Sequence, residues 1–173
     1  MTSNPTIVDT NVILVANGLH QDISDSCLLN CIQRLHDITI SGHIVIDDDF
    51  LILSEYMNKT DVKKPIGIGD KFVKWLLQNK DNNSRCTKIT LQPHMVRAFE
   101  SFPDDEDLQY FDPPDRKFVA VAAAHPEKPH ILQAADCKWL DWESALIRHG
   151  ISVKFICAED VKRFHQKKFG SNG

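Results

Sequence analysis

An α/β domain with a mostly parallel central sheet is the fold the sequence predicts, on three observations. Strand-like apolar runs alternate with helix-like runs from end to end. Neither an internal repeat nor a Pro/Gly/Ser-rich linker divides the chain. Its 173 residues, 42% hydrophobic and 25% charged, suit one globular domain. A single core of that size buries about 70% of the unfolded chain's surface.

The elements follow in order. Thr6 to Val8 make a first strand, and Leu28, Leu29, Ile32 and Leu35 recur at helical spacing, which predicts a helix over 23–38. HIVID (43–47) reads as a second strand, and FLILSEYMN (50–58) as a helix capped by one of Asp47, Asp48 or Asp49. DKFVKWLLQNK (70–80) sets Phe72, Val73, Leu76 and Leu77 on one helical face and lysines on the other. KITL (88–91) reads as a short strand, and QPHMVRAFESF (92–102) as a helix with Pro93 in its first turn. Residues 103–112 form an acidic loop, so 61–112 is an extended, largely helical region. In PPDRKFVAVAAAH (113–125) two prolines open an Ala-rich buried helix that Pro126 closes. HILQA (130–134) is a fourth strand, CKWLDWESALIRHG (137–150) a helix stopped by Gly150, and ISVKFI (151–156) the last strand. The basic tail, 160–173, is expected to fray.

Composition narrows the class. The N-terminus lacks the basic and apolar regions of a signal peptide, and no apolar run approaches the roughly 18 residues of a membrane span. Five scattered cysteines fit reduced thiols in a cytoplasmic protein. Cys27 and Cys31, with His36 nearby, have metal-like spacing but lie in an apolar helix, where they read as small buried hydrophobes. Net charge is −4, so nucleic-acid binding requires local basic patches or bound cations. Asp outnumbers Glu threefold among the 24 acidic residues. Asp is common at helix caps, in loops and at metal sites.

Three carboxylates are expected near the place where an open parallel sheet forms its sites, beyond the C-terminal strand ends at a switch in strand order, and Glu55 is a fourth acid to account for. Asp9 follows the first strand directly, and Asp136 follows HILQA with one residue between. Asp115 sits in the first turn of the Ala-rich helix, where the macrodipole favours negative charge. Glu55 lies on the inward side of its helix, where an unpaired carboxylate costs several kcal/mol. A shared divalent cation resolves all four oddities. Oxygen donors without His or Cys point to Mg²⁺ or Mn²⁺, and Asp141 is placed to serve a second ion. Each residue also has a plainer role as cap, turn residue or solvated helix position.

The stretches IVDTNVIL, Glu55 after the second strand, DRKFVAVAAA and ILQAADCKWL occur in that order along nearly the whole chain. In this series the sequence resembles the PIN-domain nucleases, which include VapC-type toxins and RNA-processing enzymes. The resemblance implies a PIN-like parallel sheet flanked by helices on both faces, with the first strand beside the fourth. It implies Mg²⁺- or Mn²⁺-dependent cleavage of RNA by Asp9, Glu55, Asp115 and Asp136, with Thr10 and Asn11 supporting the site by hydrogen bonds. Two features depart from the family. Ala134 stands where Thr or Ser often precedes the last acid, and 61–112 adds length beyond the smallest members.

The function expected is therefore an endoribonuclease that hydrolyses phosphodiesters, with Arg116, Lys117 and Lys138 on the substrate phosphate. Lys63, Lys64, Lys162, Arg163, Lys167 and Lys168 are further local cations. Family analogy suggests a toxin or defence nuclease, with an antitoxin or other regulatory protein as partner and room for a homodimer. A weakened PIN-like module that binds RNA or protein is the alternative. A receiver-like signalling domain, suggested by IVIDDDF, fits less well, because IVDTN and AAD then have no role.

Overall fold

A computed structural model describes residues 3–170. The chain enters through β1 (Pro5–Val8) and turns at once into α1 (Thr10–Ala16) and α2 (Asp25–Ser41). Strand β2 (His43–Asp47) follows, and then α3 (Leu51–Asn58). The Asp47 carboxylate caps α3 by accepting from the amides of Leu51 at 2.8 Å and Ile52 at 2.9 Å. Of the three neighbouring aspartates, Asp47 is the cap. Helix α4 (Ile68–Asn79) and strand β3 (Cys86–Ile89) complete the first half.

The second half begins with a correction. Residues 92–102 are not a helix but a small antiparallel hairpin, β4 (Pro93–His94) and β5 (Ala98–Phe99). His94 Nδ1 accepts the amides of Val96 and Arg97 at 3.2 and 3.1 Å, which offers the backbone a turn in place of a helix. Ala98 takes a positive φ of 73°, outside the helical region, and Met95 and Val96 stand in solvent instead of on a buried helix face. Hence α4 is the only α-helix within 61–112, not part of an extended helical region.

Helix α5 (Arg116–Ala124) leads to β6 (Ile131–Gln133). A tight 3₁₀ turn over Cys137–Asp141 precedes α6 (Glu143–Arg148), β7 (Val153–Phe155) and α7 (Ala158–Gly170). Gly150 takes the positive φ, 74°, expected of a helix stop. The described part of the tail is helical rather than frayed, because buried Asp160 and Val161 anchor α7; residues 171–173 lie outside the described residues.

The sheet is fully parallel, in the order β3-β2-β1-β6-β7, with Val8 opposite Leu132. Helices surround it, so the domain is α/β and consistent with the PIN-like fold. Helices α1, α2 and α4 pack on one another, while α5 packs on β1, β2 and β6. Ile7, Val8, Ile44, Val45, Ile46, Ile131 and Leu132 are buried, as strands covered on both faces require. Among the described residues no helix is long and apolar enough to cross a membrane.

Two local features test this packing. A Cβ on Gly69 would lie 2.4 Å from the Ile13 carbonyl oxygen, so α4 meets α1 at a distance that excludes a side chain. Gly69→Ala should lower stability by about 1–3 kcal/mol, read as a lower urea midpoint; an unchanged midpoint means that α4 shifts freely.

The cysteines give a second correction. Cys27 and Cys157, 130 residues apart, form a disulfide, and the Cys31 sulfur lies 3.8 Å from that of Cys157. All three are buried, as expected of Cys27 and Cys31, but they are not all reduced thiols. The three sulfurs lie within 4.8 Å of one another. With two of them bonded together, only Cys31 keeps a free thiol, and the group lacks the thiolates a metal needs.

Candidate active site

The sheet reverses its winding between β1 and β6, which opens a crevice beyond their carboxyl ends. Two of the expected acids stand there. The Asp9 amide donates to the Leu132 carbonyl at 2.9 Å, and its Oδ2 accepts the Asn11 amide at 2.9 Å as the cap of α1. Asn11 Oδ1 in turn accepts the Ala135 amide at 3.0 Å, which locks the end of β1 to the segment that carries Asp136. Asn11 thus makes a hydrogen bond across the two strand ends. Thr10 does not do so through its hydroxyl, which is buried without a partner.

Asp9 is only 4% exposed, and its other oxygen, Oδ1, has no hydrogen-bond partner. An uncompensated buried carboxylate oxygen is costly and calls for a proton or a cation. Burial first, and then the charge of Asp115, push the Asp9 carboxyl up to about 8; Asp136 adds to this, against the Asn11 backbone amide and the nearby Gln133 side chain.

Asp115 comes from the other side. Pro113 and Pro114 fix a 3₁₀ turn that ends on Asp115, at the head of α5. Burial, with the charges of Asp112, Asp136 and Glu55, raises its carboxyl to about 6, and Lys138 opposes the rise. Burial also raises Asp136, again against Lys138. Glu55, from α3, forms an ion pair with Lys117 Nζ at 2.9 Å. The structure thus brings Asp9, Asp115 and Asp136 within one another's electrostatic reach, and Glu55 within reach of Asp115.

The basic residues are placed otherwise than the sequence predicts. Lys138 Nζ pairs with Asp112 Oδ2 and lies 3.6 Å from both Asp115 Oδ2 and Asp136 Oδ2. Burial disfavours its charge, but these three carboxylates outweigh burial and hold the ammonium above its ordinary range. Lys117 is taken by Glu55 and the Pro114 carbonyl. Arg116 is buried, and its Nε, Nη1 and Nη2 donate to the carbonyls of Phe111, Val96 and Gln109. Its guanidinium also lies over the Phe102 ring. Arg116 is therefore a strut between α5 and the hairpin, not a group offered to a phosphate.

Asp141 is also corrected. It faces His165 Nε2 at 3.4 Å and Lys168 Nζ at 3.6 Å on α7, and does not join the acids. Its position at the end of the 3₁₀ turn carries it round to that helix.

Three residues were missed. Asp112 is the nearest partner of Lys138, and in the sequence only its place in an acidic loop marked it. Gln133 is fully buried on β6, and its side-chain amide neighbours the Asp9 carboxylate without closing a well-formed hydrogen bond; an amide at the end of an apolar strand was the available signal. The Tyr56 hydroxyl donates to the Val8 carbonyl, which ties α3 to the end of β1 beside Asp9. Burial, with Asp9 and Glu55, keeps Tyr56 protonated far above the usual phenol range.

In donor chemistry the acids fit a hard divalent cation: every ligand is an oxygen, and Asp9 Oδ1 is an orphaned buried acceptor. In spacing they are open. Among the described residues no three carboxylates offer oxygens within 4.8 Å of one another, and the Lys138 ammonium stands between them. No protein-family model matches this chain, and neither the curated proteins nor the solved structures include a match to it.

Proposed function

We propose that the chain is a divalent-metal-dependent ribonuclease of the PIN type, acting on RNA phosphodiesters. The observation that carries this reading is the orphaned, buried Oδ1 of Asp9 at the switch point of a parallel sheet, faced by Asp115 and Asp136. Asp9, Asp115 and Asp136 are the residues that would hold Mg²⁺ or Mn²⁺, with Glu55 beside them. The ion, when bound, supplies an activated water and neutralises charge on the phosphodiester. Asn11 keeps the two strand ends in register, and Tyr56 fixes α3 so that Glu55 stays inward. Regulation by an antitoxin-like protein rests on the resemblance alone.

Purified protein incubated with a mixed RNA pool should cut it with Mn²⁺ and stop on addition of EDTA. Cleavage that persists in EDTA, or none with Mn²⁺, removes this reading. Mn²⁺ should also raise the melting temperature, because the fold gathers ligands that the unfolded chain disperses. The rise should be smaller in Glu55→Gln; equal rises place Glu55 outside the site.

A second reading, a module of this fold that binds RNA without cutting it, draws support from Lys138. An ammonium already among the acids supplies the charge a metal would bring. Retention of RNA on the protein in EDTA, without cleavage in Mn²⁺, favours that reading.

A further inference from the structure

We infer that Asp112 and Lys138 form a counter-ion switch that governs entry of a divalent cation into the acid cluster. The inference rests on the cation-site reading above and adds a device that neither the fold nor the acid set requires.

The geometry is unequal in a useful way. Lys138 Nζ touches three carboxylates, and its contact with Asp112 is closer than the 3.6 Å contacts with Asp115 and Asp136. Asp112 has no competing task of its own at this turn. It precedes Pro113, which has no amide hydrogen to donate, and its side chain caps nothing in the 3₁₀ turn that follows. Its carboxylate is therefore free to serve Lys138.

The two longer contacts occupy the oxygens a cation needs. A cation that enters between Asp115 and Asp136 meets the ammonium there and must drive it off by like-charge repulsion. Asp112 supplies the place to which Lys138 withdraws. The ammonium gives up two contacts and keeps its closest one, so it is never left unpaired. Without a cation, the same ammonium offsets the repulsion between Asp115 and Asp136 and keeps the cluster from coming apart.

The switch has a signature that simple charge addition lacks. Removing the ammonium, in Lys138→Met, should tighten Mn²⁺ binding about tenfold, because no resident cation has to be displaced. Removing its parking place, in Asp112→Asn, should weaken binding severalfold, because the ammonium then falls back on Asp115 and Asp136. In the double variant the Asp112→Asn effect should vanish, since there is no ammonium left to park. Independent charge effects add; a switch makes them couple.

The experiment is titration of the purified protein with Mn²⁺ alone, with free Mn²⁺ followed by electron paramagnetic resonance, across the four proteins of this cycle. Circular dichroism in EDTA checks that each is folded. Tighter binding by Lys138→Met, weaker binding by Asp112→Asn, and loss of the second effect in the double variant support the switch. An Asp112→Asn effect of equal size in the Lys138→Met background, which is additivity, overturns it and leaves Asp112 acting on the cation directly. Should Lys138→Met fail to fold, unchanged affinity in Asp112→Asn is by itself enough to reject the switch. Absence of Mn²⁺ binding in the wild type and Lys138→Met alike removes the cation-site reading, and the switch with it.

Discussion

Asp9→Asn should abolish Mn²⁺-dependent cleavage and, in EDTA, yield a more stable protein than the wild type. On the proposed cation site, replacing Asp9 should cost more activity than the roughly hundredfold typical of a group that only supports a ligand. The gain in stability follows from linkage. The Asp9 carboxyl stands at about 8 in the folded protein against 3.8 for an ordinary Asp, so folding requires it to take up a proton. A raised carboxyl favours the folded state fully below pH 4, and that contribution is lost as pH climbs toward 8. Asparagine carries no charge in either state and keeps an oxygen for the Asn11 amide. The variant's advantage should therefore be near zero at pH 4 and grow to pH 8. At pH 7 it should be on the order of a few kcal/mol, or roughly 5–10 °C in melting temperature. If Asp9 holds the proposed cation, Mn²⁺ should reverse the ranking at pH 8, because it would stabilise the ionised wild type and lose a ligand in the variant. Thermal melts from pH 4 to 8, in EDTA and in Mn²⁺, test each step. A variant that cleaves normally removes the nuclease reading. One that is destabilised equally at every pH shows that Asp9 is a structural cap.

The features that made Asp9 visible are those a linear sequence displays well. A carboxylate directly after an apolar strand, another just beyond a later strand and a third at the head of an Ala-rich helix each need only local pattern to locate. Parallel-sheet rules then place the strand ends together, and β1 does lie beside β6. The hairpin at 93–99 was not visible for a physical reason. Met95, Val96, Phe99 and Phe102 have the same spacing as a helix face, but His94 turns the backbone and leaves Met95 and Val96 in solvent. Side-chain direction was likewise hidden. Arg116 and Lys117 adjoin an acid in sequence, yet one goes into the core to bind carbonyls and the other pairs with Glu55. Asp112 was unreadable because its partner lies 26 residues away, and Asp141 because its direction depends on where a 3₁₀ turn ends.

The disulfide was hidden for the same reason of distance, and its removal should have the largest effect on stability. Closing a loop of 130 residues restricts the unfolded chain by about 5 kcal/mol on the chain-entropy account, and measured bridges commonly give about 2–4. Reduction should therefore lower the melting temperature by roughly 5–15 °C. The joint is not held by sulfur alone. Asp160 of α7 accepts from the Ser24 amide at 2.8 Å and its hydroxyl at 2.7 Å, so α7 should stay docked more weakly rather than detach. Cys31 makes the two single variants unequal. It lies one turn along α2 from Cys27, with its sulfur 3.8 Å from that of Cys157, so it can replace Cys27 but nothing can replace Cys157. In the native protein that exchange is quiescent, because burial, and then Asp160, push the Cys31 thiol up to about 12 and leave little thiolate to attack. During oxidative folding of Cys27→Ser no such barrier exists, and Cys31 should bond to Cys157. Thiol titration in denaturant should then find three free thiols in the wild type, two in Cys27→Ser and four in Cys157→Ser. Cys157→Ser should also lose more stability than Cys27→Ser. Equal losses with four thiols in both variants show that Cys31 is a bystander, and five free thiols in the wild type return these residues to a reduced, purely packing role.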